Sequence, residues 1–246
     1  MQQALSVAAR AIKNSNYFIA HTGAGISVES GVPPFRGAEG LWNRYEPQTL
    51  ELNFFLSNPE ESWKVIREIF YSFLGKVQPN PAHRVLAAWE KKGLLKAIIT
   101  QNIDDLHQMA GSDKVFEFHG NAKRLVCLEC GEYCGLTEID FDFLPPYCEQ
   151  CGGLLKPDFI FFSEGIPQKA YEKSIEAASS CDVLLIIGTT GEVSPANQMP
   201  LIAKENGAFI IEVNPDPSLY TNYITDIFIK TTAGAGLPAI DKCMQS

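Results

Sequence analysis

Four cysteines are arranged as two CxxC pairs with seventeen residues between the pairs: Cys127, Cys130, Cys148 and Cys151. This spacing is typical of a zinc ribbon, in which four thiolates complete a tetrahedral site. Because four protein ligands leave no open position, the sequence predicts a structural zinc rather than a catalytic one. A redox dithiol or an iron–sulfur site is the less favoured alternative.

His119 follows the run 115–118 and precedes Gly120, and this placement predicts the end of a strand at the edge of a cleft. A histidine titrates near neutral pH, so it can take a proton from a hydroxyl. The position favours His119 as a general base, although a single histidine is more often structural. That structural interpretation holds for the other three histidines, His21, His83 and His107.

A polar run follows the apolar segment 97–100 and consists of Gln101, Asn102, Ile103 and Asp104. Open α/β sheets place ligand groups at the carboxyl ends of their strands. The amide of Asn102 can hold a hydroxyl or a water, and the carboxylate of Asp104 can accept from an amide NH2. Both residues also suit the start of a helix, so helix capping is the alternative.

A glycine-containing turn follows the first apolar segment and includes Gly23, Ala24, Gly25 and Ser27. Backbone N–H groups in such a turn can approach a phosphate where side chains would clash. Val28 stands where the dinucleotide fingerprint has its third glycine, so an ordinary strand-to-helix turn is an equal alternative.

The loop 31–37 is bounded by glycines and carries Phe35 and Arg36 after two prolines. Such a loop can close over a ligand, with Phe35 shielding a reactive carbon from water and Arg36 pairing with a phosphate or a carboxylate. The alternative is a core aromatic ring beside a surface charge.

Continuous apolar runs predict buried parallel strands at 17–20, 97–100, 183–187 and 209–213, and helical patterns cover 4–13, 82–92 and 167–179. This alternation predicts an α/β fold, a Rossmann-like parallel sheet with helices on both faces. Segments 38–79 and 121–155 break the rhythm, so we expect a helical insertion and a zinc-binding module that form a smaller domain. Segments 1–37, 80–120 and 156–246 then form a Rossmann-like dinucleotide-binding domain.

The net charge of -9 argues against a nucleic-acid partner and suits a basic peptide. No apolar stretch is long enough to cross a bilayer, and the first ten residues lack the pattern of a secretory signal. We therefore expect a cytoplasmic protein with no membrane partner, a monomer or a weak oligomer.

Five motifs together resemble the sirtuin (Sir2-like) family in order and spacing: GAGIS at 23–27, GVPPFRG at 31–37, TQNID at 100–104, HG at 119–120 and the CxxC pairs. FFSE at 161–164, GTT at 188–190, VNPD at 213–216 and Ala233 are similar to later family segments. The resemblance spans nearly the whole chain. It implies an NAD-dependent protein-lysine deacetylase (deacylase), which consumes NAD and releases nicotinamide, free lysine and O-acyl-ADP-ribose.

The resemblance also implies roles for individual residues. His119 would be the general base, Asn102 would orient ribose and water, and Asp104 would pair with the nicotinamide carboxamide. The implied NAD contacts are Gly23, Ala24, Gly25, Ser27, Phe35, Arg36, Gln101, Asn102, Ile103, Asp104, Gly188, Thr189, Thr190, Asn214, Pro215, Asp216 and Ala233. The implied contacts to an acyl-lysine protein or peptide are Ile160, Phe162, Ser163, Glu164, Glu192 and Val193. The four cysteines would hold one structural Zn²⁺ away from the chemistry.

The chain departs from the family pattern at Pro34, where aspartate is usual, and at Ser163, where glycine is usual. Sirtuins that remove acidic acyl groups carry a tyrosine and, three residues later, an arginine in the helical insertion. Alignment places Ile66 and Ile69 there, so we expect a preference for acetyl or other uncharged acyl groups. A shift of one helical turn would instead bring Arg67 or Tyr71 to the pocket.

Two other functions remain open from the sequence. A mono-ADP-ribosyltransferase would use the same cleavage of NAD with a different acceptor. A noncatalytic zinc-ribbon protein that senses NAD or ADP-ribose would keep the binding residues, but it would not need His119, Asn102 and Asp104 together.

Overall fold

The computed structural model describes residues 1–35, 40–72 and 76–245. Within these residues the chain forms nine strands. In chain order they are β1 (Phe18–Thr22), β2 (Leu95–Thr100), β3 (Val115–Glu117), β4 (Gly120–Cys127), β5 (Tyr133–Gly135), β6 (Leu155–Phe159), β7 (Val183–Ile187), β8 (Phe209–Asn214) and β9 (Ile227–Lys230).

The helices in the described residues are mostly short and lie between the strands. They are α1 (Gln2–Asn14), α2 (Leu52–Ser57), α3 (Pro59–Ile66), α4 (Pro81–Lys91), α5 (Leu106–Met109), α6 (Gln168–Ser180), α7 (Gln198–Glu205) and α8 (Ala233–Gln245). Helix α3 continues into a wider turn at Arg67–Tyr71. None of the helices in this part of the chain has the length and apolar character that a membrane span requires.

Six strands form one sheet in the order β3-β2-β1-β7-β8-β9, and every neighbouring pair is parallel. In chain order, β2 and β3 are added on one side of β1, and β7, β8 and β9 are then added on its other side. Such a reversal opens a crevice beside the carboxyl ends of the central strands, where open α/β sheets bind ligands. The Rossmann-like parallel sheet expected from the sequence is confirmed.

Apolar helix faces cover both sides of this sheet. On one side, Leu5 of α1, Trp89 of α4 and Leu237 of α8 pack on the strands. On the other side, Ala177 of α6 and Met199 of α7 do the same. Because both faces are covered, every residue of β1 and β7 is buried, which explains their continuous apolar pattern.

The predicted and observed bounds differ where polar residues extend a buried strand. The strand predicted at 17–20 is found at Phe18–Thr22, because His21 and Thr22 lie inside the sheet with no exposed surface. Helix α4 begins at Pro81, since Asn80 caps it by accepting from the Ala82 N–H. The helices predicted at 4–13 and 167–179 correspond to α1 and α6.

The other three strands form a small antiparallel sheet in the order β5-β4-β6. The described part of the helical insertion packs on it: the Trp63 indole N–H donates to the Leu155 carbonyl at 3.0 Å, and the Tyr71 hydroxyl donates to the Ala122 carbonyl at 2.9 Å. One apolar cluster joins the two segments. We therefore propose that 38–79 and 121–155 form the smaller domain.

Candidate functional site

The carboxyl ends of β1, β2, β7 and β8 meet at one edge of the large sheet, and many predicted site residues follow these ends. The Gly23 N–H donates to the Ile187 carbonyl at 3.0 Å. The Asn214 side-chain amide donates to the Thr189 carbonyl at 3.1 Å. Hydrogen bonds therefore join turns that are distant in sequence into one surface.

The glycines of the first turn allow it to pack against the turn after β7. A β-carbon on Gly25 would lie 2.6 Å from the Gly188 Cα, and one on Gly188, whose φ is +61°, would lie 2.3 Å from the Ile26 nitrogen. The Gly25 N–H donates to the Gly188 carbonyl at 2.8 Å. The N–H groups of Gly23 and Gly25 are thus used inside the protein, and a phosphate contact by either residue stays a prediction.

Ser27 connects Asn102 with Asp104. The Ser27 hydroxyl donates to Asp104 Oδ2 at 2.7 Å, and the Asn102 amide donates to the Ser27 hydroxyl at 3.1 Å. The other carboxylate oxygen of Asp104 accepts from the Leu106 N–H at 3.0 Å, so the residue also caps the first turn of α5. Burial raises the pKa of Asp104, and the hydrogen bonds from Ser27 and Leu106 oppose that rise.

His119 lies in the turn between β3 and β4, two residues beyond Glu117, so it follows the strand and does not end it as the sequence predicts. Its Nδ1 atom is 3.1 Å from the Gln101 carbonyl oxygen. A carbonyl oxygen only accepts, so Nδ1 carries the proton and Nε2 keeps its lone pair. Burial lowers the pKa of His119, and the hydrogen bond to Gln101 opposes this effect. The side chain is therefore neutral near pH 7, with Nε2 able to accept a proton.

His21 is a site residue that the sequence interpretation left as structural. Its Nε2 atom accepts from the Gln101 side-chain amide at 3.1 Å, and the same amide donates to the Thr189 hydroxyl at 3.1 Å. Burial, with a contribution from the charge of His119, lowers the pKa of His21 to about 3. The signal for it was a polar residue directly after the first apolar run 17–20.

Glu212 is a second residue that the sequence interpretation missed. The carboxylate has no exposed surface and accepts hydrogen bonds from Asn214, Ser218, Thr221 and Thr225. It therefore holds the loop after β8, which carries the exposed residues Pro215 and Asp216. A glutamate within the apolar run 209–213, followed by serine and threonine, is the pattern that indicates such an anchor.

Three more of the predicted NAD contacts follow β7 or begin α8. Thr190 is exposed, Thr189 is half-buried, and Ala233 is buried at the start of α8. Glu29 holds this end of α8, because its carboxylate accepts from the Gly234 N–H at 2.6 Å. Arg36, predicted to contact NAD, lies outside the described residues.

An apolar cavity lies between the glycine turn and the polar run. Phe35 packs on Trp42 and Phe70, with ring centroids 5.3 Å and 6.2 Å apart. The side chains of Asn102 and Asp104 face the same cavity. Its lining is formed by Ala24, Val32, Pro33, Phe35, Leu41, Phe70, Asn102, Ile103, Asp104 and Ala122.

The predicted substrate segment follows β6 and runs past His119. The Ile160 N–H donates to the His119 carbonyl at 2.9 Å, while the Phe162 ring is exposed 5.9 Å from the Trp42 ring. Ser163 adopts a φ of +67°, which is the conformation that glycine adopts most easily, and its hydroxyl donates to Glu51 at 2.9 Å. The departure from glycine is therefore accommodated with an added hydrogen bond.

Glu164 stabilises the segment after β6 through a hydrogen bond and an ion pair. Its carboxylate accepts from the Phe161 N–H at 2.9 Å and pairs with the buried Lys156 ammonium at 3.0 Å. Lys156 also donates to two backbone carbonyls and lies over the Phe161 ring. The other two predicted substrate residues lie beyond the turn after β7, where Glu192 is exposed and Val193 is half-buried.

The four cysteines of the two CxxC pairs come together at the end of the small sheet. Their Sγ atoms all lie within 4.8 Å of one another, with 3.4 Å between Cys127 and Cys151 and 3.8 Å between Cys130 and Cys148. Four thiolates at about 2.3 Å from a tetrahedral zinc lie about 3.8 Å apart. The cluster therefore fits a structural zinc, as the sequence predicts.

Four side chains of the helical insertion are relevant to which acyl group the enzyme would accept. Ile66 and Ile69 are buried in the apolar cluster. The Arg67 guanidinium donates to the Phe141 carbonyl at 2.7 Å, so it points toward the cysteine module. Tyr71 uses its hydroxyl on the Ala122 carbonyl. Both polar side chains that a helical shift would bring to the pocket are already hydrogen-bonded to backbone carbonyls.

Known proteins are similar to this chain in sequence and in fold. The sequence model of the Sir2 family matches residues 23–195. NAD-dependent protein deacylase 2 of Pyrobaculum aerophilum is 43% identical over 93% of this chain and 91% of its own length.

Two solved structures superpose closely. A Sir2 homolog–NAD complex gives a TM-score of 0.89 at 37% identity and covers 96% of this chain and 93% of its own. A Sir2 variant with deacetylated p53 peptide and 3'-O-acetyl-ADP-ribose gives 0.90 at 32% identity, covering 95% and 96%. The chain therefore belongs to the Sir2 family and is an NAD-dependent protein deacylase of the sirtuin type.

Proposed function

We propose that this deacylase removes acyl groups from lysine side chains of proteins, with His119 as the general base. The observation that carries the proposal is the hydrogen bond from His119 Nδ1 to the Gln101 carbonyl, which leaves Nε2 unprotonated at the sheet edge. A histidine that acts as a general base must be unprotonated at the atom that takes the proton. The products would be nicotinamide, free lysine and an O-acyl-ADP-ribose.

The residues at the sheet edge fit NAD. The crevice lies where the strand order reverses, and an apolar cavity with two polar groups opens beside it. Bound NAD would supply a ribose carbon that carries a cationic nicotinamide leaving group. The buried Asp104 carboxylate is a hydrogen-bond acceptor, which suits the NH2 group of a carboxamide.

Three side chains at the sheet edge have separate roles in the reaction. Asn102 orients a ribose hydroxyl or a water, and its amide is itself held by Ser27. Gln101 lines the ribose pocket, with its side chain fixed by His21 and Thr189. His119 takes a proton from a ribose hydroxyl at Nε2. Positioning of this kind lowers the barrier because the groups need not be ordered during the reaction.

Phe35 excludes water from the reacting carbon. The ring is one wall of the apolar cavity and is supported by Trp42 and Phe70. An acyl oxygen can attack the ribose carbon productively only if water does not arrive first. We place Arg36, Gly188, Thr190, Pro215, Asp216 and Ala233 with the NAD phosphates and adenosine on the basis of the motifs alone.

The substrate would be an acyl-lysine peptide that lies along the segment after β6, in contact with Ile160, Phe162, Ser163 and Glu164, and opposite Glu192 and Val193. The exposed Phe162 ring and the hydrogen bond between Ile160 and His119 place this segment beside the base. The complex of a Sir2 variant with deacetylated p53 peptide supports a peptide as the substrate class.

The test is the loss of acyl mass from an acetyl-lysine peptide, with and without NAD. We expect the loss to require NAD and to fall strongly in Asn102→Ala and Asp104→Ala. Cys243→Ser, outside the site, is the matched control and should retain activity. Acyl loss that proceeds without NAD would contradict the proposal.

A further inference from the structure

The cysteine module carries a groove outside the site described above. Its volume is about 410 Å³, and residues between 132 and 155 line it. We call it the module groove and define its aromatic wall by Tyr133, Phe143 and Tyr147. These rings are 58%, 77% and 58% exposed. Clustered exposed aromatic rings mark a surface that binds another molecule.

Four carboxylates line the groove together with these rings, and they are the side chains of Glu132, Glu138, Asp140 and Glu149. None of the described residues that line the groove is lysine, arginine or histidine. The groove therefore presents negative charge and aromatic faces together, and both attract cations.

The four carboxylates of the groove have few contacts inside the protein. One Glu138 oxygen accepts from the Gly135 N–H, and one Asp140 oxygen accepts from the Asp142 N–H. Within the described parts of the chain, the carboxylates of Glu132 and Glu149 form no salt bridge. An exposed carboxylate with no cation beside it suits an incoming guanidinium or ammonium group.

We propose that the module groove binds a lysine- or arginine-rich segment of the protein substrate, away from the acyl-lysine itself. The aromatic faces would contact the cationic side chains, and the four carboxylates would pair with their charges. That the partner is the substrate rests on the proposed function. The groove would add affinity by tethering the substrate while the acyl-lysine reaches the sheet edge.

The test measures binding without turnover. A fluorescent peptide that carries four arginines and no acyl-lysine is titrated with the zinc-loaded protein at low salt, and anisotropy gives its Kd. One variant combines Glu132→Gln with Glu149→Gln, and another combines Phe143→Ser with Tyr147→Ser. The control combines Glu172→Gln with Glu205→Gln, two exposed glutamates on α6 and α7 that change the net charge equally.

We expect each groove variant to raise the Kd of the peptide about 5-fold to 10-fold, because exposed cation–π and charge contacts are lost. The control should bind like the wild type. Equal weakening in the control would show that net charge alone carries the binding, and unchanged binding in both groove variants would show no binding at the groove; either result overturns the proposal. A short acetyl-lysine peptide without basic residues should react equally with all variants, so a failure of the deacylase mechanism is seen separately.

Discussion

The imidazole of His21 accepts a hydrogen bond from the side-chain amide of Gln101, with 3.1 Å between the two nitrogen atoms. Gln101 also accepts from His119 through its backbone carbonyl. One residue thus links a fully buried histidine of β1 with the proposed base. Because burial lowers the pKa of His21 to about 3, it stays an acceptor across the physiological range.

Replacing His21 should therefore affect NAD binding more than the chemical step. His21→Leu removes the acceptor that fixes the Gln101 amide, and we expect KM for NAD to rise about 5-fold, the loss of one net hydrogen bond. His21→Gln, which keeps an acceptor oxygen, is the matched control. Steady-state kinetics with varied NAD measures the effect, and a normal KM in folded His21→Leu would refute the positioning role.

His119→Ala should leave NAD binding largely intact and lower kcat. Removal of a positioned general base typically costs about 100-fold to 10,000-fold. Turnover of an acetyl-lysine peptide gives the rate, and calorimetric titration gives the NAD affinity. A mutant that retains near wild-type turnover would rule out the assignment of the base.

The same assignment gives a pH dependence. Burial lowers the pKa of His119 below its ordinary value of 6.5, and the base works only while Nε2 is unprotonated. As pH falls through the pKa of the folded protein, Nε2 gains a proton and kcat/KM decreases. We expect this acidic limb below pH 6.5, and a limb centred above that value would contradict the burial effect.

Loss of the zinc site should unfold or aggregate the protein. Two of its ligands, Cys127 and Cys148, belong to the apolar cluster that joins the small sheet to the helical insertion. Metal analysis should find about one zinc per chain, given four protein ligands. Cys127→Ser should lower the melting temperature and the zinc content, whereas Cys243→Ser should change neither. A stable, active and zinc-free Cys127→Ser protein would disprove the structural role.

The enzyme should prefer acetyl-lysine to succinyl-lysine. Ile66 and Ile69 are buried and apolar, while Arg67 and Tyr71 are already hydrogen-bonded to backbone carbonyls. A carboxylate buried without a cation costs several kcal/mol, on the order of a 1,000-fold loss. Catalytic efficiencies on one peptide with either acyl group decide the matter, with a clear preference for succinyl as the contrary result.

Much of the fold was predictable because buried parallel strands are continuous apolar runs. The pattern stopped short where polar residues continue a buried strand, because His21 and Thr22 extend β1 beyond the apolar run 17–20. Glu212 lies within the predicted strand 209–213, but its role as a buried anchor was not predicted. Local sequence does not reveal that such residues find partners from other turns. Tertiary packing decides this.

The site was predictable in composition and less so in geometry. The motifs pointed to Asn102, Asp104 and His119, and the structure adds Ser27 as the link between the first two. The interpretation of the glycines changed most, because Gly25 packs against Gly188, a residue distant in sequence. Contacts between two loops of this kind cannot be read from either loop alone.

The central claim is that cleavage of NAD is coupled to removal of an acyl group from lysine. The most direct measurement compares nicotinamide release with an acetyl-lysine peptide, with the same peptide unacetylated, and with no peptide. We predict release only with the acetylated peptide, in a 1:1 ratio with the lysine set free, as expected when the acyl oxygen displaces nicotinamide. Sustained nicotinamide release without the acyl group would indicate ADP-ribosyl transfer, and no release in any of the three would indicate a sensor; either result would contradict the account.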